Sequence, residues 1–318
     1  MENNVKPAKK KSMLKEIWKR FRRNPLAMGG LFVMIIMVLL ALFAGVLAPG
    51  DGVSPGYNRQ DWSNARQFPN SENIFGTDEL GRDVFARIAH GSRISLTVGL
   101  VVVSISMFFG VALGSIAGYY GGITDNVIMR VVDVILAVPN ILMAIAIAAT
   151  LGPGMMNVMI AVGIGAIPGY ARQTRAQVLS LKEQEFVEAA RSVGAGDLRI
   201  IRKHILPNAL APVIIEASMG MAGAILAAAG LSFIGIGLQA PVPEWGAMLA
   251  DGRRLMLAGF WHLTLFPGLS IALVIFALNM IGDGLRDAID PKLRSGGFSK
   301  KRFKRILRQR AIAEAKEA

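Results

Sequence analysis

Cysteine is absent from this chain of 318 residues, and charged residues make up only 18% of it. The lack of cysteine excludes disulfide bonds, cysteine-based zinc sites and thiol nucleophiles. The charged fraction of 18% is lower than the roughly 25% of soluble domains. In addition, 53% of the residues are hydrophobic. Catalytic signatures are missing as well. Neither HExxH nor GxSxG occurs, and the absence of any Gly-Lys pair excludes a GxxxxGK[ST] phosphate-binding loop.

The net charge of +13 is concentrated at the two ends of the chain. Residues 1–25 carry nine Lys and Arg against two Glu, and residues 291–318 carry ten against two, so the tails hold +15 together. Residues 26–290 therefore have a net charge of −2. A basic protein can be a nucleic-acid binder, but basic tails around an almost neutral apolar body are typical of a membrane protein. We expect a lipid bilayer, and no nucleic acid, as the partner of these tails.

Long stretches without Asp, Glu, Lys or Arg occur in the body, and they are residues 26–50, 94–124, 134–171, 217–243 and 255–282. A helix needs about 20 apolar residues to cross roughly 30 Å of hydrocarbon. Four stretches suit one helix each, and a Gly-Pro-Gly turn at 152–154 divides the 38-residue third stretch into two. The sequence thus predicts an all-α membrane protein with six transmembrane helices, at 26–48, 95–119, 128–150, 155–171, 212–238 and 263–284.

The distribution of basic residues predicts the orientation of these helices. With both termini in the cytoplasm, 28 of the 35 Lys and Arg lie inside and seven lie outside. The predicted parts are an amphipathic cytoplasmic tail (1–25), a first span with an outside segment (26–93), a five-helix core (94–290) and a basic cytoplasmic tail (291–318). The tail's apolar face, expected on the inner leaflet, consists of Leu14, Ile17, Trp18 and Phe21.

Two patterns in the body predict local structure. Thr77, followed by two acids and apolar residues at a four-residue spacing, predicts an interfacial helix over residues 77–89. Glycine recurs every four residues along the second predicted span, and such seams let helices approach closely in lipid. This predicted packing seam consists of Gly110, Gly114, Gly118 and Gly122.

The hydrophilic loop between the fourth and fifth predicted spans, residues 171–212, is rich in helix formers. Ser180 and Glu183 have capping-box spacing and predict the start of a helix, which Gly194 and Gly196 are expected to end. The apolar face of this helix is predicted to consist of Phe186, Val187, Ala190 and Val193.

A second helix in the same loop is predicted to begin at Asp197 and to end at Pro207. Its apolar residues are Leu198, Ile201 and Ile205. A helix-turn-helix with one apolar face is expected to dock on something, so this loop is the predicted functional element of the chain.

The loop resembles the EAA loop of permease subunits in binding-protein-dependent ABC importers, through Glu188-Ala189-Ala190-x-x-x-Gly194 followed by Ile205-Leu206-Pro207. The family usually places Ile two positions before the Leu-Pro pair, where this chain has His204. The likeness to the C-type permease of dipeptide, oligopeptide or nickel importers extends along most of the chain. It includes the stretches Arg23-Asn24-Pro25, Phe75-Gly76-Thr77-Asp78-x-Leu80-Gly81-Arg82-Asp83 and His204-Ile205-Leu206-Pro207-Asn208.

The resemblance implies a type I importer permease fold and a non-catalytic subunit in the plasma (inner) membrane of a bacterium or archaeon. In that family the EAA helix inserts into a groove on an ATPase subunit. The residues implied in this coupling are Glu188, Ala189, Ala190, Arg191, Gly194, Leu206 and Pro207. The implied partners are a homologous second permease, two cytoplasmic ATPase subunits that bind ATP and Mg, and an extracytoplasmic binding protein. No cofactor and no metal is expected in this chain.

Short peptides are the expected cargo, with glutathione-like peptides and nickel or its chelates as alternatives. Two other classes are less consistent with the sequence. A stand-alone secondary transporter or channel would be expected to have charges at the membrane midplane or an internal repeat, and the chain has neither. An intramembrane enzyme would be expected to have a catalytic signature motif, and this chain has neither HExxH nor GxSxG. The sequence does not identify the residues that contact cargo.

Overall fold

The computed structural model describes residues 13–50 and 55–289, and within these ranges the chain is mostly helical, with a largely irregular segment at 55–83 that contains one bridge between Thr77 and Asp83. Its α-helices are α1 (Met13–Phe21), α2 (Pro25–Leu47), α3 (Val84–Tyr120), α4 (Gly122–Ala137), α5 (Asn140–Leu151), α6 (Met155–Lys182), α7 (Glu185–Ser192), α8 (Asp197–Ile200), α9 (Leu206–Phe233), α10 (Trp245–Met256) and α11 (His262–Ile289). The predictions for residues 1–12 and 291–318 fall outside the described residues.

Among the described residues, four helical stretches are long and apolar enough to cross a membrane. They are α2, α3, the continuous run Asp197–Phe233 and α11. Each contains most of a predicted span. The run ending at Phe233 stops before the predicted residue 238 because Gly235 adopts a φ of 85°, which turns the chain out of the helix.

The third predicted span, 128–150, is not one helix. It is divided between α4 and α5, whose axes differ by 89°. The break lies at Pro139, because proline disfavours a helical conformation for the residue before it. Val138 accordingly has an extended backbone, with φ −94° and ψ 126°. Counted as one broken span, this pair is the fifth candidate.

The fourth predicted span, 155–171, lies in α6, which continues to Lys182. The start of a helix at Ser180 was therefore predicted wrongly, since Ser180 lies within α6. Because α6 is not among the helices that qualify as spans by length and hydropathy, the total of six spans stays a prediction.

The glycine seam explains why α6 keeps its helical conformation so far beyond the predicted span. Gly110 lies against Tyr170, Gly114 against Ala171 and Thr174, and Gly118 against Val178. A Cβ at Gly118 would lie 2.9 Å from the Cβ of Val178, closer than packed carbons allow. The seam is confirmed as a helix-packing surface for these three glycines. Gly122 is not part of it, because it has open space and a φ of 54° at the start of α4.

The predicted helix over 77–89 begins seven residues later, at Val84. Asp83 is its N-cap and accepts a hydrogen bond from the backbone N of Phe85 at 2.8 Å. Residues 77–83 instead form a turn organised by the Asp78 carboxylate, which accepts bonds from Leu80 N at 2.9 Å and from Arg82 Nε at 2.6 Å. The predicted helix start at Thr77 is therefore wrong, because the hydrogen bonds of the Asp78 side chain hold the next residues in a turn.

Two apolar cores hold the helices together. The first joins α3, α5, α6 and α9, and the second joins α2, α3, α9, α10 and α11. α1 packs against the end of α11 through Phe21, which is 4% exposed and contacts Ala288 and Gly284. Trp18, on the same predicted face, is 51% exposed, so Phe21 contacts protein while Trp18 points outward.

Candidate functional site

The predicted functional loop folds as a compact unit, residues 178–207, which we call the α7–α8 unit. Five buried side chains form its core, and they are Val178, Val187, Ala190, Ile200 and Ile205. Tyr119 at the end of α3 packs against this core. The unit is therefore built on α3 and α6 as well as on its own residues.

The turn between α7 and α8 depends on Gly194. Its φ is 81°, a left-handed conformation that favours glycine. Its backbone N donates to Arg191 O at 2.9 Å, and the backbone N of Ala195 donates to Ala190 O at 3.1 Å. These two bonds satisfy carbonyls at the end of α7. The prediction that Gly194 ends the helix is confirmed.

The predicted end of the second helix at Pro207 is wrong. The chain passes from α8 through a π-helical turn, Ile201–Ile205, directly into α9. The backbone N of Leu206 donates to Ile201 O, five residues earlier, which widens the helix before the proline. Pro207 then occupies the first turn of α9, where a missing N–H is tolerated.

The predicted apolar face of α7 divides into an inner and an outer half. Val187 and Ala190 are buried in the core of the unit. Phe186 is 40% exposed and Val193 is 83% exposed, and Leu198 on α8 is 67% exposed. Three large apolar side chains of this hydrophilic unit are therefore exposed. We call these three residues the apolar docking patch.

The residues implied in coupling lie in different environments. Glu188, Ala189, Arg191, Gly194 and Pro207 are exposed, Leu206 is partly buried, and Ala190 is buried inside the unit. Ala190 therefore packs within this chain, whereas Ala189 leaves space on the outer surface. Within the described residues, the exposed members and the apolar docking patch share the α7–α8 unit.

Polar contacts that the sequence did not reveal join the unit to α3 and join α6 to α4. The hydroxyl of Tyr119 donates to Asp197 Oδ1 at 2.8 Å, and its hydrogen bond with Arg191 holds the pKa of Arg191 above the usual value. On α6, Arg175 makes a two-pronged contact of 2.5 Å with Asp125 of α4. These pairs link residues that lie far apart in sequence, so local patterns carried no signal of them.

A third contact also joins α6 to α4. Asp133 of α4 pairs with Arg172 of α6 at 2.6 Å. Both side chains are about half exposed, so this pair contributes little stability by itself.

A cavity of about 420 Å³ lies among α3, α5, α6 and α9. Most of its wall is apolar or glycine. Its polar wall residues, among those that the structure describes, are Ser106, Asn140, Tyr170 and Glu216. Within the same part of the chain, no three His, Asp or Glu side chains are grouped to hold a metal ion.

Sequence profiles of two families match this chain. A profile described as binding-protein-dependent transport system inner membrane component matches residues 110–295. A profile described as N-terminal TM domain of oligopeptide transport permease C matches residues 12–69. The first match includes the glycine seam, the α7–α8 unit and the part of the cavity wall that α5, α6 and α9 supply.

Curated relatives are similar over almost their whole length. A dipeptide transport system permease protein of Alkalihalophilus pseudofirmus is 48% identical over 281 residues, which cover 88% of this chain and 90% of that protein. A di/tripeptide transport system permease protein of Pseudomonas aeruginosa is 44% identical, covering 89% and 94%. A glutathione transport system permease protein of Escherichia coli O157:H7 is also 44% identical, covering 91% and 94%.

A solved structure with a similar fold is that of the MetNI methionine ABC transporter in inward-facing conformations. The TM-score is 0.50 at 18% sequence identity, and the match covers 64% of this chain and 97% of the matched chain. At this identity the likeness concerns the fold alone.

Proposed function

The chain belongs to the family of binding-protein-dependent transport system inner membrane components, and we propose that it is one permease subunit of an ATP-driven importer of short peptides. Relatives named for dipeptides, for di/tripeptides and for glutathione are 44–48% identical over about nine-tenths of the chain. Glutathione is itself a tripeptide, so these names share one chemical class. Nickel is an alternative cargo that the experiment below distinguishes.

The observation that carries the proposal is the apolar docking patch beside the exposed residues Glu188, Ala189 and Arg191. In this proposal, α7 inserts into a groove of a separate ATPase subunit. Phe186, Val193 and Leu198 lose contact with water there, and Ala189 permits close approach. The ATPase is a separate protein, and its ATP and Mg are bound outside this chain.

Movement of α7 is transmitted to the bundle through the core of the α7–α8 unit. Val187 packs with Val178, which lies on α6 and also contacts Gly118 of α3. The hydrogen bond between Tyr119 and Asp197 adds a second connection to α3. When ATP binding draws two such units together, α3 and α6 are expected to move with them. The pathway then opens outward, and hydrolysis resets it.

The proposed assembly contains this chain, a homologous second permease, two ATPase subunits and an extracytoplasmic binding protein. Both termini and the α7–α8 unit lie in the cytoplasm in this arrangement. Segment 55–83 then lies outside, where the binding protein docks. This orientation follows from the excess of Lys and Arg in the tails and in loop 171–212.

The test is to purify the chain with its co-purifying subunits and to reconstitute the complex in proteoliposomes. We expect ATP hydrolysis that rises with a peptide-loaded binding protein, and uptake of a radiolabelled dipeptide that requires ATP. Peptide uptake without ATP would contradict an importer of this class. Uptake of nickel, and not of peptide, would replace the proposed cargo and leave the subunit assignment intact.

A further inference from the structure

The short helix α1 lies where one membrane-spanning helix begins and another ends. Only residues 22–24 separate it from α2, and it packs against the last turns of α11. The contact is made by Phe21, which is buried with Ala27 and Ala288, and a Cβ at Gly284 would lie 3.1 Å from the Phe21 ring. Because α2 and α11 are both long and apolar enough to cross a membrane, α1 lies at the surface of the bilayer.

The side chains of α1 divide between the protein and the membrane surface. Phe21 is buried, whereas Trp18 is half exposed and stacks on the Phe21 ring with 5.9 Å between the ring centroids. The five basic residues of α1 and of its link to α2 are exposed or partly buried, and they are Lys15, Lys19, Arg20, Arg22 and Arg23. Tryptophan is enriched at membrane interfaces, and clusters of Lys and Arg bind anionic lipids. The outer side of α1 therefore has the composition of a lipid-binding surface.

A concave site between α1 and the end of α11 concentrates this positive charge. Its volume is about 480 Å³, and it is lined by Arg20, Arg23, Asn24, Asp287 and Ala288. Asn24 Nδ2 donates to Asp287 Oδ2 at 3.3 Å, and neither arginine forms a salt bridge with a described residue. Two arginines against one aspartate give the site a net positive charge. Guanidinium groups bind phosphate oxygens through paired, charge-assisted hydrogen bonds.

We propose that this site binds the phosphate of an anionic phospholipid of the cytoplasmic leaflet, with Arg20 and Arg23 as its ligands. The exposed ring of Trp18 lies among the headgroups in this arrangement. The occupant is a lipid and not a soluble phosphate compound, because the site borders two membrane spans and an exposed tryptophan. The inference rests on the cytoplasmic position of the termini in the proposed function, and it does not depend on the cargo.

The site touches both membrane-spanning helices beside it. Asn24 is the N-cap of α2, since its side chain accepts from the backbone N of Leu26 at 3.1 Å, and Asp287 belongs to the last turn of α11. A lipid held by Arg20 and Arg23 therefore connects the start of α2 to the end of α11. Because these two helices share one apolar core, transport is expected to depend on the fraction of anionic lipid.

The first experiment measures how much tritiated phosphatidylglycerol the purified complex, with its co-purifying subunits, retains through gel filtration in detergent. Unlabelled phosphatidylcholine and inorganic phosphate serve as competitors, and neither is expected to displace the labelled lipid. Arg20→Gln combined with Arg23→Gln should lower the affinity for phosphatidylglycerol about tenfold, because both charge-assisted contacts are lost.

The matched control is Lys15→Gln combined with Lys19→Gln. It removes the same charge from the same helix, but neither lysine lines the site, so the affinity should fall less than about threefold. Asp287→Asn provides a test in the opposite direction. It removes the negative charge beside the arginines and should raise the affinity about threefold.

An equal loss of affinity in the two double variants would overturn the inference, because it would indicate general attraction between a basic helix and an anionic surface. Displacement by inorganic phosphate would overturn it by identifying a site for soluble phosphate. If the double arginine variant does not assemble, Asp287→Asn decides the question: tighter binding supports the inference, and unchanged binding overturns it.

The second experiment uses proteoliposomes of phosphatidylcholine with increasing fractions of phosphatidylglycerol. ATP hydrolysis stimulated by the binding protein should rise with the anionic fraction in the wild type and in the lysine control, and it should rise less in the arginine variant. Identical responses in all three would overturn the inferred dependence on lipid. Retention of lipid in detergent needs neither ATP nor peptide, so its failure would leave the importer assignment intact, and a failure of peptide uptake would leave the lipid site intact.

Discussion

Gly194 and Gly196 provide a matched pair of substitutions in the turn that ends α7. Both are exposed, and a Cβ at either position would meet no atom within 4 Å. They differ in backbone conformation, since Gly194 has a φ of 81° whereas Gly196 has φ −69° and ψ 155°. Valine at 196 therefore adopts an ordinary extended conformation. Valine at 194 must adopt a left-handed one, which a β-branched residue strongly disfavours.

The expected magnitude follows from the turn itself. A left-handed conformation costs an L-residue about 1–2 kcal/mol, and opening the turn would sacrifice two backbone hydrogen bonds worth about 1 kcal/mol each. These two costs are alternatives, so Gly194→Val should destabilise the α7–α8 unit by about 2 kcal/mol at most, and Gly196→Val by less than about 0.5 kcal/mol. The two large apolar cores of the bundle do not include this turn, so the bundle is expected to stay folded.

The assay measures ATP-driven peptide uptake, ATP hydrolysis and thermal unfolding for each reconstituted variant, with limited proteolysis to detect opening of residues 193–197. We expect Gly194→Val to reduce uptake by about tenfold, the equivalent of 1.4 kcal/mol, with an unchanged Tm of the bundle. Gly196→Val should match the wild type. Wild-type uptake by both variants would refute the reasoning. An equal loss of uptake in both variants would show that side-chain bulk on the exposed surface, and not the sign of φ, impairs transport.

Three further predictions test other parts of the structure. Tyr119→Phe should remove the hydrogen bond to Asp197 and destabilise the α7–α8 unit by about 1 kcal/mol. It should also lower the ratio of peptide uptake to ATP hydrolysis, and an unchanged ratio would show that this hydrogen bond does not transmit the movement. Gly118→Leu should disrupt the seam between α3 and α6 and lower the yield of assembled protein, as measured by gel filtration. Gly223→Ala should leave the yield unchanged because position 223 has open space around it. Equal yields of the two variants would contradict the seam. Burial raises the pKa of Glu244, which caps α10 through Ala247 N at 2.9 Å. Ionisation therefore lowers stability as pH rises above the ordinary glutamate pKa, so E244Q should exceed the wild type in Tm at neutral pH and lose that advantage in acid. Glu244→Ala should be about 1 kcal/mol less stable than E244Q at every pH, because neither variant titrates and only alanine lacks the cap. A constant difference between E244Q and the wild type across pH would contradict the raised pKa.

Hydropathy located the long helices well, but local start and stop signals were unreliable. Ser180 lies within α6 because the glycines of α3 pack against that helix well beyond the apolar stretch. Pro207 does not end a helix because the π-helical turn before it places the proline where no N–H is needed. In both cases a tertiary or neighbouring contact outweighed a preference read from a few residues.

The candidate site was only partly predictable. The motif from Glu188 to Gly194 identified α7 and its turn, because both depend on residues that are adjacent in sequence. The contact between Tyr119 and Asp197 joins residues 78 positions apart, and the pair Arg175 and Asp125 is separated by 50 positions. Neither contact has a local signature, and the cavity with Glu216 has none either.

The sequence by itself determined the membrane character of the chain, the concentration of positive charge in its tails, and the position and turn of α7. These properties depend on local composition and on the φ preference of single residues. Only the tertiary structure decided that α4 and α5 meet at 89°, that Ala190 faces inward while Val193 faces outward, and that Glu216, Tyr170 and the start of α5 line one cavity. Those outcomes depend on how distant helices pack against each other, which no short segment specifies.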